Sequence, residues 1–201
     1  MAQFIYLASQ SPRRRQLLEQ LGVSYELLLP EPNEDAEALE RVLKNEAPAA
    51  YVMRVTGLKL DAALARLKRL KLPAAPILCA DTTVALGRRI FGKPEDDADA
   101  VSMLSALSGK AHKVLTAVAV QSPLGARHAG LCISQVNFAD MTERQIQAYV
   151  ATGEPLGKAG SYAVQGRAAL YISRISGSYT GIMGLPLREC ALLLTAAGLN
   201  I

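Results

Sequence analysis

The chain has 201 residues, half of them hydrophobic, and a formal net charge of +4. Length and apolar content of this order permit a substantial buried core and exclude a disordered chain. The basic balance fits anionic ligands without separating nucleotides from nucleic acid or a membrane surface. Cys79, Cys132 and Cys190 lie far apart with no CxxC pair, which suggests neither a disulfide framework nor a zinc cluster. The opening residues lack the basic region and apolar stretch of a leader, and no run of about 18 apolar residues occurs, so a soluble cytoplasmic protein is expected.

Helical patterns alternate with β-rich ones, which predicts an α/β architecture within one domain over residues 1–201. Phe4 to Ala8 reads as a short buried strand. Ser11 then offers an N-cap, Pro12 suits the first helical position, and Leu17, Leu18 and Leu21 form an apolar face that ends at Gly22. Ala47 to Leu72 is helical in pattern and grows basic through Arg66, Lys68, Arg69 and Lys71; Gly57 counts against one unbroken helix, and Pro73 and Pro76 end it. Ile77 to Ala80 reads as a buried strand delivering Asp81 to its carboxyl end, followed by Thr82 to Leu86 and a turn at Gly87. Gly92-Lys93-Pro94 precedes a helix from Asp96 to Leu107. Val114 to Val120 and Leu131 to Phe138 read as a hairpin, and Thr142 with Gln145 forms a capping-box signature for a helix reaching Ala151. A loop at Glu154 to Gly160, a strand at Ala169 to Ile175 and a helix from Pro186 to before Gly198 complete the chain.

Several of these places could carry chemistry. Ser9-Gln10-Ser11-Pro12-Arg13-Arg14 stands where a strand hands over to a helix, and free amides there, with two arginines, suit phosphate. The same residues also fit a capped surface helix. Asp81 beyond an apolar strand is placed to hold a hard cation or activate water, or to serve as a turn carboxylate. Glu34 lies in the acidic run Glu31 to Glu40, where a solvated loop is the plain alternative. Lys59, Lys93 and Lys158 could each neutralise phosphate as a point charge. His112 and His128 form no recognisable triad, and GxxxxGK[ST] is absent, which disfavours a Walker-type enzyme releasing the terminal phosphate.

Taken together, the run from Leu7 to Leu18 resembles the N-terminal signature of the Maf family, also called septum-formation-inhibitor-like proteins. The likeness continues in family order through Ala80-Asp81-Thr82, Gly92-Lys93-Pro94, Leu107-Ser108-Gly109, Gly153-Glu154-Pro155, Lys158 to Gly166 and Gly184-Leu185-Pro186-Leu187. The resemblance implies a Maf/ITPase-like α/β fold, elongated, with a central mixed sheet, flanking helices and a cleft between two lobes. It implies hydrolysis of a nucleoside triphosphate to the monophosphate and pyrophosphate, dependent on Mg²⁺ or Mn²⁺. By the same resemblance Asp81 is similar to the catalytic carboxylate and proton acceptor, Ser9, Arg14, Glu34, Lys59 and Lys93 match pocket positions, and Glu34 joins Asp81 at the metal. Arg13, Thr82 and Gln165 resemble the trio accompanying dTTP/UTP preference, and the Gln165 amide offers the donor and acceptor that a uracil or thymine edge requires. A homodimer without stable nucleic-acid or membrane partners is also implied. The chain departs from the family in having Gly157 where Asp is common and a longer stretch from Leu39 to Tyr51. The competing readings are 7-methyl-GTP or modified pyrimidine triphosphates as substrate and a non-catalytic nucleic-acid-binding or cell-division regulator, the latter motivated by the basic balance and the basic end of the second helix.

Overall fold

In the computed structural model, which describes residues 4–31, 34 and 38–201, the chain forms a mixed seven-stranded sheet with helices on both faces. Residues 32–33 and 35–37 of the acidic run lie outside the described residues. Strand β1 (Phe4–Leu7) leads into helix α1 (Pro12–Gln20) and the short strand β2 (Ser24–Leu27). Helix α2 (Pro48–Arg69) then crosses to β3 (Ile77–Leu86), β4 (Arg89–Phe91) and α3 (Asp97–Leu107). The hairpin β5 (Ala111–Gln121) and β6 (Arg127–Phe138) precedes α4 (Glu143–Val150), β7 (Ile172–Ser176), α5 (Tyr179–Met183) and α6 (Leu187–Ala196). The order across the sheet is β2-β1-β3-β5-β6-β7, with β4 on β3; β1 is parallel to β2 and β3, and the remaining pairs are antiparallel.

Local sequence explains most of these elements. Ser11 caps α1 through Arg14 N, Asp96 caps α3 through Asp99 N, and Thr142 with Gln145 closes a complete capping box on α4. Helix α2 runs unbroken through Gly57 because Val52, Val55, Leu60 and Ala63 are all fully buried against the sheet. Two differences from the expected pattern stand out. Ala169 does not begin a strand: Arg167–Tyr171 forms a 3-10 turn, and β7 starts only at Ile172. Asp81 does not end a strand either, because its strand continues without a break to Leu86, with Asp81 opposite Ala117 of β5.

The sheet buries both faces. Ile77 and Cys79 of β3 pack with Leu60 and Ala63 of α2, while Leu78 and Ala80 pack on the other side with Leu17 and Leu18 of α1 and Leu194 of α6. A strand's side chains alternate between faces, so this pattern sends Asp81 towards α2 and Thr82 towards α1. On the edge of β3 that faces β1, pairing stops at Leu78 and resumes at Val84, where β4 joins. The gap between those contacts, just past the carboxyl end of β1, is where a cavity opens. Among the described residues no helix is long and apolar enough to cross a membrane.

Candidate active site

The cavity has a volume of about 890 Å³, and its lining includes Ser9, Arg13, Arg14, Glu34, Lys59, Asp81, Thr82, Lys93, Lys158 and Gln165, each offered by the sequence as a site residue. They fall into distinct groups within it.

The first group sits on the α1 side. Ser9, almost fully buried, accepts hydrogen bonds from Ser11 N at 3.2 Å and Arg14 Nη1 at 3.2 Å. Arg14 also donates from Nε to Gly184 O at 2.8 Å and from Nη2 to Thr82 Oγ1 at 3.3 Å. Thr82 Oγ1 is 2.9 Å from Thr116 Oγ1, which donates to Gly181 O at 2.7 Å. Arg13 donates from Nε to Met183 O at 3.3 Å. Burial lowers the Arg14 pKa, the nearby Asp81 charge works against that shift, and Arg13 adds to it. The guanidinium is thus fixed by three partners with N–H groups left over, a rigid donor surface suited to a phosphate.

The second group sits on the α2 side. Lys59 Nζ donates to Asp81 Oδ1 at 2.5 Å and to Glu40 Oε1 at 2.7 Å, and Lys93 Nζ lies 3.3 Å from Glu40 Oε2. Tyr51 Oη donates to the backbone oxygen of Glu40 at 2.9 Å. Burial pushes the Glu40 carboxyl upward, but Lys59 and Lys93 together outweigh it and hold it below the ordinary range. Tyr51 is pushed up to about 12 by burial and by the charges of Asp81 and Glu40.

Glu34 was expected beside Asp81 and is found elsewhere in the cavity. Its carboxylate accepts from Arg66 Nε at 3.1 Å and from Arg69 Nη2 at 2.6 Å, with a second contact to Arg66 Nη2. Arg66, nearly fully buried, also donates to Leu28 O at 3.0 Å. These bonds hold Glu34 down at about 2. The carboxylate that meets Lys59 and Asp81 is Glu40, which sequence reasoning left unnoticed within the acidic run. Tyr51 and Arg66 were also missed as cavity residues, although a signal existed: with Lys59 they recur at spacings of two helical turns and share one face of α2.

The carboxylates of Asp81 and Glu40 are drawn together through one ammonium, so hard oxygen donors are gathered at one end of the cavity. This donor set fits a divalent ion of the Mg²⁺ kind, which takes one or two carboxylates and fills its remaining positions with water and phosphate oxygens. Among the described residues no group of three or more His, Cys, Asp or Glu is arranged to hold a metal.

Comparison with known proteins gives a consistent picture. A protein from Albidiferax ferrireducens named dTTP/UTP pyrophosphatase is 67% identical over 201 residues, covering 100% of both chains. A protein of the same name from a Polaromonas species is also 67% identical, covering 100% of this chain and 98% of its own. One from Cupriavidus pinatubonensis, again so named, is 62% identical over 200 residues, covering 100% of both. Among solved structures, a HAM1 protein from Coxiella burnetii matches over 97% of this chain and 100% of its own, with a TM-score of 0.51 and 16% identity, a likeness of fold alone. The family described as Maf-like protein matches residues 4–197, and with full-length relatives at this identity the chain belongs to that family.

Proposed function

We propose that this protein hydrolyses dTTP and UTP between the α- and β-phosphates, giving the nucleoside monophosphate and pyrophosphate. The observation that carries the reading is the meeting of Asp81, Lys59, Glu40 and Lys93 in the same cavity as the Ser9–Arg14 donor surface. The identity to full-length proteins named dTTP/UTP pyrophosphatase supports the substrate.

In this mechanism Arg14, oriented by Ser9, Thr82 and Gly184, presents its free N–H groups to the triphosphate. Lys59 and Lys93 offset further phosphate charge, and together they keep the Glu40 carboxylate ionised. Asp81 Oδ1 is engaged by Lys59, so Oδ2 orients the attacking water and accepts its proton. A bound Mg²⁺ or Mn²⁺, held by Asp81 and Glu40, would add charge stabilisation at the phosphoryl oxygens and acidify water. Gln165 pairs its amide with the donor and acceptor on the pyrimidine edge, and the orientation in which the amide is held decides which order of donor and acceptor it matches. Arg13, held on Met183 O, adds a second guanidinium near Arg14.

The test is to incubate the protein with dTTP, UTP, CTP, GTP and 7-methyl-GTP in the presence of Mg²⁺ or Mn²⁺ and identify the products. Monophosphate and pyrophosphate from dTTP and UTP, abolished in Asp81→Asn, are expected. Release of inorganic phosphate, or preference for 7-methyl-GTP, refutes the bond or the specificity respectively. A second measurement isolates the metal assignment: titration of Mn²⁺ by electron paramagnetic resonance, without substrate, should show weaker binding in Glu40→Gln and Asp81→Asn and unchanged binding in Glu34→Gln. Loss of Mn²⁺ affinity in Glu34→Gln alone would return the metal to that residue.

A further inference from the structure

Gln165 stands at the tip of a turn, and the structure shows what holds that turn. Gly166 N donates to Ala163 O at 3.0 Å, closing a four-residue turn with Val164 and Gln165 at its central positions. Both ends are tied to one pair of side chains lying outside the cavity lining. At the first end Ala163 N donates to Tyr149 Oη at 3.4 Å; at the other Arg167 N donates to Glu154 Oε2 at 3.0 Å. Tyr149 Oη in turn donates to Glu154 Oε1 at 2.7 Å, so a continuous chain of hydrogen bonds spans the turn from behind.

The packing around this chain is specific. A Cβ built on Gly166 would lie 2.1 Å from Glu154 Oε1 and 2.6 Å from Oε2, so the carboxylate rests directly against the Cα of that glycine. Tyr149 is buried on α4, the helix with the complete capping box, and Thr152 Oγ1 accepts from Glu154 N at 3.2 Å just beyond its end. A rigid helix therefore carries the phenol, and the phenol and carboxylate carry the turn. Burial and the bond to Glu154 both raise the Tyr149 pKa, which keeps the phenol a neutral donor at physiological pH.

We propose that Tyr149 and Glu154 are a specificity-positioning pair, holding the Ala163–Gly166 turn so that the Gln165 amide meets the pyrimidine edge in register. The inference rests on the reading of Gln165 as the base-contacting residue. Two hydrogen bonds to one base edge need both atoms of the amide aligned at once, so a loosened turn costs discrimination before it costs turnover. Neither residue touches substrate; each acts through the turn.

The test compares kcat and KM for UTP and CTP in four variants, with thermal melting as a control for folding. Tyr149→Phe removes the hydroxyl and keeps the ring: KM for UTP is expected to rise with kcat little changed, and the UTP/CTP ratio of kcat/KM to fall about tenfold, the scale of one lost hydrogen bond. Glu154→Gln should lower the ratio less than Glu154→Ala, because its amide can donate to Tyr149 Oη while its carbonyl accepts from Arg167 N, at the cost of leaving the phenol proton without its acceptor. Glu154→Ala should lose the ratio, and it also serves where Tyr149→Phe folds poorly. Combined with Gln165→Ala, Tyr149→Phe should add nothing further. A folded Tyr149→Phe with an unchanged ratio, while Gln165→Ala collapses it, overturns the pair and leaves the Gln165 reading standing. An unchanged ratio in Gln165→Ala overturns both. An equal loss of kcat on every substrate marks a merely structural role and also overturns the proposal.

Discussion

Arg14 is held as a fork, and a fork cannot be replaced by a point charge. Its three bonds, to Ser9 Oγ, Thr82 Oγ1 and Gly184 O, come from residues far apart in the chain and converge because β1, β3 and α5 meet at the gap in the sheet. Lysine carries the same charge but cannot reach all three partners, and a partly buried acceptor left without its donor costs on the order of 1–3 kcal/mol. Arg14→Lys is therefore expected to lower kcat/KM for UTP about 10- to 100-fold, mainly through KM; steady-state kinetics within twofold of wild type would show that the fork is dispensable. Much of this surface was legible in the sequence, because Ser9, Arg13 and Arg14 sit at a strand-to-helix junction whose chemistry is local. Glu40 was not. Glu34 and Glu40 are the same residue type in the same acidic run, and what separates them is the part of α2 each one meets, Glu34 on Arg66 and Arg69 and Glu40 on Lys59. Local pattern contains nothing of that difference.

Helix α2 brings Tyr51, Lys59 and Arg66 to the site, and its one weak position is Gly57. The residue lies within an unbroken helix, and a Cβ placed on it meets no atom within 4 Å. Glycine in a helix interior costs roughly 0.5–1 kcal/mol relative to alanine, through backbone entropy retained by the unfolded chain. Gly57→Ala should therefore raise the melting temperature by about 1–4 °C without altering kinetics; a lower melting temperature would mean that the site is not open. Elements with strong local signals were readable from sequence: the caps at Ser11, Asp96 and Thr142, and the β-rich runs of β5 and β6. Those that exist only through their partners were not. Strand β2 is mostly exposed and is defined by its parallel pairing with β1, and β4 has three residues that pair only with β3. The extension of β3 past Asp81 has the same origin, since β5 pairs with it as far as Ala85. Tertiary pairing decides such segments, and intrinsic propensity does not.

At the scale of the whole molecule, His112 and Glu34, two groups of opposite chemistry, make stability depend on pH in different windows. His112, on β5, is almost fully buried, with ring centroids 5.0 Å from Phe138 and 5.5 Å from Tyr162, and its Nε2 is 2.8 Å from Tyr162 Oη. Burial pushes its pKa from 6.5 down to about 4. Between those two values the unfolded chain takes up a proton that the folded chain refuses, so stability is full above 6.5 and falls as the pH drops towards 4. The slope from one such group is at most about 1.4 kcal/mol per pH unit. Glu34 behaves as a paired carboxylate: its folded pKa of about 2 lies below the ordinary 4.5, so its contribution is complete above 4.5 and is lost as the pH falls towards 2. The acid limb should therefore come in two steps, with the first belonging to His112. Urea denaturation from pH 8 to 4 isolates the first, because His112→Gln removes the ionisable ring. The variant should be less stable than wild type at pH 7, and the gap should narrow steadily between pH 6.5 and 4. A gap that stays constant across that window would mean that the folded protein protonates His112 as readily as the unfolded chain does, and the first step would then have to come from another group.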